Sequence, residues 1–194
     1  MSLMIAQDAT PVSRVAGRTT ASRHLFVART RSCGFGLFSS RSFSRGDEVL
    51  RILDWLYTAG ARPYAELRSQ GYSDSQIFQV GPDSFIPPYG EIDDFTNHSC
   101  EPNCGLRVDR SGFVMLALRD IRANEELSYD YATHMENPHE AMICRCGARS
   151  CRRTVRSFST LPAELQARYL ELDVVGWFVR PSRGRSVVLH HALL

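Results

Sequence analysis

From His24 onward the chain alternates short apolar stretches with Gly, Pro, Asn and Asp: residues 25–28, 48–53, 76–80, 84–87, 106–108, 113–118 and 127–131. Runs this short, bounded by turn formers, predict strands and not helices. Helical spacing is limited to residues 63–71 and 161–172. The second has Thr160 available as N-cap, Pro162 in its first turn, and Leu161, Leu165 and Tyr169 on one face. Residues 1–22 are small and polar with scattered arginine and no apolar period, which predicts a flexible, linker-like N-terminus. No repeat or low-complexity segment is present, so solenoids and propellers are disfavoured. The expected fold is mainly β with few short helices.

Composition narrows the class. With 194 residues, 43% hydrophobic and 23% charged, the chain has room for one compact domain and a small appendage. The longest apolar runs, such as 113–118, fall far short of the roughly 18 to 20 residues a membrane helix needs. The first ten residues lack a charged segment followed by an apolar core, so no secretory signal is expected and the sequence reads as intracellular. A formal charge of +2 is too mild to argue for a nucleic-acid partner. All 23 basic residues are arginine, which codon bias explains, because Arg serves as well as Lys on a solvated face.

Candidate chemistry lies in three places. Cys144, Cys146 and Cys151 pack three thiols into eight residues around Gly147, and either Cys100 or Cys104 could supply a fourth. Four thiolates suit a closed, structural zinc site, and such a site would clamp a segment too short for its own core. Disulfides or inert buried thiols are the competing reading. The stretch 95–104 concentrates Asn97, His98, Ser99 and Cys100 around Pro102; a site competes there with a plain side-chain-capped turn. Gly34-Phe35-Gly36 would let backbone approach a ligand closely. It lacks the third glycine and the Gly-Lys-Ser/Thr ending of nucleotide loops.

In order, Gly34-Phe35-Gly36, Phe95 through Asn103, Glu126-Leu-Ser-Tyr129-Asp130-Tyr131 and Cys144-x-Cys146-x4-Cys151 resemble the motifs of SET-domain protein lysine methyltransferases with a post-SET zinc segment. The resemblance covers about residues 24–155. It implies a SET fold over 23–132, a β-clip-like set of small sheets with a threaded C-terminal segment; a post-SET zinc segment over 133–156; and a C-terminal helix and tail over 157–194. It also implies that Gly34, Phe35, Gly36, Asn97 and His98 contact S-adenosylmethionine, that Tyr131 is catalytic, and that Tyr129 limits the product to mono- or dimethyllysine. Cys100 would join Cys144, Cys146 and Cys151 on one structural zinc ion, leaving Cys33 and Cys104 without a role. The implied substrate is a lysine in a protein or peptide, with histone among the candidates. The implied location is cytoplasmic in a bacterium or nuclear in a eukaryote.

The chain departs from the family pattern where Arg51-Ile52 replaces an aromatic pair, where Asp94 replaces an arginine, and where no cysteine-rich pre-SET segment occurs. The insert 54–90 carries Trp55, Tyr57, Tyr64 and Tyr72, any of which could face a peptide. In the tail, Trp177 and Phe178 would cover the cofactor, form a homodimer face or, as favoured, pack on the chain's own core. The leading expectation is an enzyme. A non-catalytic SET-fold module that binds a peptide partner is the alternative, and a nucleic-acid binder resting on arginines alone is a distant third.

Overall fold

The mainly apolar run of residues 112–117 becomes the central strand of the largest sheet. In the computed structural model, which describes residues 23–30, 34–53, 60–109, 112–137 and 141–180, this strand pairs on both sides and is buried along nearly its whole length. Residues 1–22, Cys33, Trp55, Tyr57 and 181–194 lie outside the described residues, and with them the expectations of a flexible N-terminus and an aromatic groove wall at 55 and 57.

Eleven strands are numbered here in chain order among the described residues: β1 Leu25–Arg29, β2 Phe35–Ser39, β3 Glu48–Leu53, β4 Phe78–Gly81, β5 Ser84–Ile86, β6 Asn97–His98, β7 Cys104–Asp109, β8 Gly112–Ala117, β9 Ser128–Tyr129, β10 Met142–Ile143 and β11 Thr154–Val155. They form five small sheets, β1-β2, β3-β8-β7, β4-β5, β6-β9 and β10-β11, of which only β6-β9 is parallel. Two α-helices, α1 Tyr64–Ser69 and α2 Ala163–Glu171, and several 3-10 turns complete the described chain. The mainly-β expectation holds.

Differences from the sequence reading are local. Phe35 and Gly36, read as part of a glycine loop, open strand β2, with Gly36 paired to Ala28. Gln76 ends a 3-10 turn capped by Ser73 and does not start β4. Thr160 does not cap α2: its hydroxyl donates to Ser157 O at 2.7 Å within a preceding 3-10 turn, and Pro162 takes the cap position.

Two main cores result. One joins Leu37, Val49, Leu50, Leu106, Met115 and Leu127 beneath the three-stranded sheet. The other joins Cys100 and Cys144 to Val155, Phe158, Tyr169, Val174 and Val175; the tail packs on the chain's own interior through Val174, Val175, Phe178 and Val179, whereas Trp177, expected there too, is 58% exposed. Gly105 of β7 marks the seam between them, because a Cβ there would lie 2.7 Å from Val174 Cγ1. Tyr64 and Tyr72 pack with Leu67, Ile77 and Phe85 in a third, smaller cluster, and the Tyr64 hydroxyl is bound to Asp74 at 2.7 Å. No helix among the described residues is long and apolar enough to cross a membrane.

Candidate functional site

The parallel pairing of β6 with β9, in the register Asn97↔Ser128 and His98↔Tyr129, sets residues 97–100 against 128–131. Ser99 N–H extends the pairing to Tyr129 O at 3.1 Å. Asp130 then caps a 3-10 turn over Tyr131–His134 by accepting from Ala132 N–H. The result is two tyrosines side by side, with Tyr129 and Tyr131 ring centroids 4.8 Å apart. The Tyr131 hydroxyl donates to Thr96 O at 2.8 Å, which leaves its oxygen lone pairs as acceptors.

Both rings line a cavity of about 470 Å³, whose lining also includes Ile52, Phe78, Leu106, Met115 and His134 and the acids Asp74, Glu91, Asp93 and Asp94. Ile52, which stands where an aromatic was expected, is therefore part of this wall, while Arg51 pairs with Glu48 at 2.6 Å. Asp94, in place of the expected arginine, accepts the backbone N–H groups of Tyr89, Gly90 and Glu91. A largely apolar cavity with phenolic oxygen at its wall suits an aliphatic stem that ends in a nitrogen donor. Burial of such an amine would favour its neutral form.

Next to the tyrosines, Asn97 Nδ2 donates to Phe35 O at 2.9 Å and to Glu126 Oε1 at 2.8 Å. Gly36 lies under this pair: a Cβ would come within 2.5 Å of Glu126 Oε1 and 2.6 Å of Thr30 Cγ2. The glycine is required first by the protein's own packing, which differs from the ligand-approach reason read in the sequence. Gly34, at φ +78, supplies the left-handed turn into β2. Phe35, whose carbonyl holds Asn97, remains 45% exposed, edge-on to Phe95 and with Arg29 over its ring.

The four expected thiols meet. Cys100 Sγ is 3.8 Å from Cys144 Sγ, Cys151 Sγ is 3.6 Å from Cys144 Sγ, and Cys146 Sγ accepts from Cys100 N–H at 3.5 Å. Sulfurs bound at about 2.3 Å to one tetrahedral ion would sit about 3.8 Å apart, so the cluster could hold a metal. Burial raises the Cys100 and Cys144 thiols. Burial also opposes ionisation of Cys146, but backbone N–H groups of Cys100 and Ala148 and the neighbouring thiols bring it down to about 7. Cys104, the other candidate, is fully buried in β7 and pushed up to about 12 by burial, which makes it an inert core thiol.

His98 touches this cluster. Its Nε2 is 3.3 Å from Cys100 Sγ, and its Nδ1 accepts Tyr131 N–H at 3.2 Å. Burial lowers its pKa to about 4, with Asp130 acting in the opposite direction.

Three functional contacts escaped the sequence reading. Asp130, 1% exposed, binds Arg152 through two bonds of 2.8 and 2.6 Å and accepts the Tyr169 hydroxyl at 3.0 Å, tying the cysteine segment and helix α2 to the tyrosine turn. Glu126 stood within a recognised motif but without a role. Thr96 acts through its carbonyl, which leaves no mark in a sequence.

A mainly-β chain with paired tyrosines at a cavity, a Gly-Asn-Glu cluster beside them and a thiol knot behind defines a narrow class. The SET domain model matches residues 34–132, and the chain belongs to that family. It is 33% identical over 140 residues to the yeast protein "Histone-lysine N-methyltransferase, H3 lysine-4 specific" of Saccharomyces cerevisiae, covering 66% of this chain and 13% of that protein. To human "Histone-lysine N-methyltransferase 2B" it is 32% identical over 146 residues, covering 70% of this chain and 5% of that one. The chain thus spans a small part of the length of these curated relatives. Among solved structures, KRYPTONITE in complex with mCHG DNA and SAH superposes with a TM-score of 0.52 at 27% identity over 68% of this chain and 28% of that chain. The methyltransferase domain of human SETMAR, at TM-score 0.51 and 24% identity over 69% of this chain and 58% of that chain, shares the fold.

Proposed function

We propose that this chain transfers a methyl group from S-adenosylmethionine to the side-chain amine of a lysine in a protein or peptide, stopping at mono- or dimethylation. The observation that carries this reading is the pair Tyr129 and Tyr131 in the cavity wall, with the Tyr131 hydroxyl proton committed to Thr96 O. The relatives' names and the SAH in the KRYPTONITE complex support the lysine substrate and the cofactor. Histone is the first substrate to try, and a nuclear location would suit it.

The cofactor's sulfonium supplies an activated methyl group. Gly34, Phe35 and Gly36, with Asn97 and His98, form the side where it would bind. Tyr131 oxygen would accept weak C–H···O contacts from that methyl and orient the incoming amine. The apolar walls at Ile52, Leu106 and Met115 would strip the lysine ammonium of water, and the nearby cation would lower its pKa further, so no strong base is required. Tyr129 would hold an amine N–H or a water and leave less room as methyl groups accumulate.

Cys100, Cys144, Cys146 and Cys151 would hold zinc as a structural ion, since four thiolates leave no open position. In this reading residues 23–132 carry the SET fold, 133–156 the zinc segment and 157–194 the helix and tail.

The test offers core histones and histone H3 peptides with S-adenosylmethionine and reads the products by mass spectrometry. Mono- and dimethyllysine are expected, and peptides with that lysine changed to arginine should take no label. Trimethyllysine as the main product would overturn the assigned role of Tyr129; cofactor binding without transfer to any lysine would point to a peptide-binding module.

A further inference from the structure

Both ring nitrogens of His98 are engaged inside the protein. Nδ1 accepts the main-chain N–H of Tyr131 at 3.2 Å, and Nε2 faces Cys100 Sγ at 3.3 Å. The nearest carboxylate oxygen, Asp130 Oδ1, is 3.6 Å from Nδ1 and already holds Arg152. A ring nitrogen that accepts a hydrogen bond carries no proton, so the single proton of the imidazole sits on Nε2 and points at the sulfur. A protonated Nε2 has no lone pair for a metal. Although His98 lies within 4.8 Å of the thiols of Cys100, Cys144 and Cys146, it is thereby a donor to the cluster, and Cys151, 3.6 Å from Cys144, is left as the fourth ligand.

We infer that His98 is a positioning residue that bridges the metal-binding thiolate of Cys100 to the main chain of Tyr131, so that filling the thiol cluster holds the tyrosine in place. Its imidazole is then not a metal ligand, and the part of His98 that faces the proposed cofactor side would be its main chain. Tyr131 is gripped at two points, its N–H by His98 and its hydroxyl by Thr96 O. A metal-bound thiolate is a charged acceptor and strengthens the N–H···S bond. The role of Tyr131 in this inference rests on the proposed methyltransferase reading; the bridge itself does not.

Two substitutions separate the halves of the bridge. In His98→Asn the side-chain oxygen can still accept Tyr131 N–H, but no donor reaches Cys100. In His98→Gln the amide N–H can reach Cys100, but nothing accepts from Tyr131. The full chain is loaded with cobalt(II), and the thiolate-to-cobalt charge-transfer band, cobalt affinity, kcat and KM are measured. His98→Asn is expected to shift the band and weaken cobalt binding about tenfold. His98→Gln is expected to keep band and cobalt affinity while kcat falls about tenfold at unchanged KM for the peptide. A nitrogen-ligated cobalt spectrum in the wild-type chain would make His98 a ligand and overturn the inference. So would an unchanged band and affinity in His98→Asn. A wild-type chain that transfers no methyl group while the cobalt spectra divide as expected would overturn the functional reading and leave the bridge standing.

Discussion

At Gly36 a single hydrogen atom decides whether the Asn97–Glu126 pair can form, because the space a Cβ would occupy is already filled. Gly36→Ala is expected to cost about 1–3 kcal/mol of stability through overpacking and to weaken cofactor binding. A denaturant titration beside a calorimetric cofactor titration reads both; a fully stable, cofactor-binding variant would contradict this packing. His134 carries a different constraint. The Thr133 hydroxyl donates to Asp130 O at 2.7 Å, so His134 Nδ1–H must donate to Thr133 Oγ1 at 3.0 Å, and Nε2 is left buried without a partner beside the Phe78 and Phe178 rings. Burial, with Arg180, lowers its pKa to about 3 from the ordinary 6.5. Between those values the unfolded chain binds the proton and the folded chain does not. The stability this group confers is therefore full above pH 6.5 and is lost as pH falls toward 3. The thermal midpoint should drop over that window in the wild type and less steeply in His134→Phe. Equal slopes would remove His134 from the acid response. The residues legible in the sequence were those grouped locally, Asn97 to Cys100, Tyr129 to Tyr131 and Cys144 to Cys151. Asp130 was not legible as a hub, because its partners Arg152 and Tyr169 lie 22 and 39 positions away.

Helix α2 matters through one hydroxyl. Tyr169 OH donates to Asp130 Oδ2 at 3.0 Å in a buried setting, so the helix beyond the matched SET region braces the turn that carries Tyr131. Tyr169→Phe should cost about 1.5–3 kcal/mol, the usual value of a hydrogen bond to a charged group. A loss below a few tenths in chemical denaturation would show that Arg152 alone satisfies Asp130. The sequence located this helix by its apolar spacing but misplaced its start. Pro162, with no side-chain cap, begins the helix, while Thr160 spends its hydroxyl on Ser157 O. The strands that build the site, β6, β9, β10 and β11, have two residues each, too few to show a period of two. Of these only β9 fell inside a predicted strand, 127–131, and the pairing of all four depends on contacts distant in sequence.

For the molecule as a whole, the two cores meet at the site: the three-stranded sheet supplies the cavity wall, and the cysteine segment with the tail supplies the support behind Tyr131. The strand pairing within the cysteine segment is the short ladder of β10 with β11, extended by Cys144 N–H to Arg153 O at 2.8 Å. Chelation is expected to open residues 141–156 to proteolysis before the β3-β8-β7 sheet unfolds, as followed by limited digestion and circular dichroism. Simultaneous loss of both would show that the thiol cluster supports the entire fold.

The most direct test of the central claim is transfer of labelled methyl from S-adenosylmethionine to a histone lysine by the wild-type chain and by Tyr131→Phe, with cofactor affinity measured on both. The structure predicts label on lysine for the wild type and its loss by at least about a hundredfold in the variant at nearly unchanged cofactor affinity, in line with the loss of a group that orients the reacting atoms. Equal transfer by both proteins would contradict the assignment of Tyr131 and the mechanism built on it.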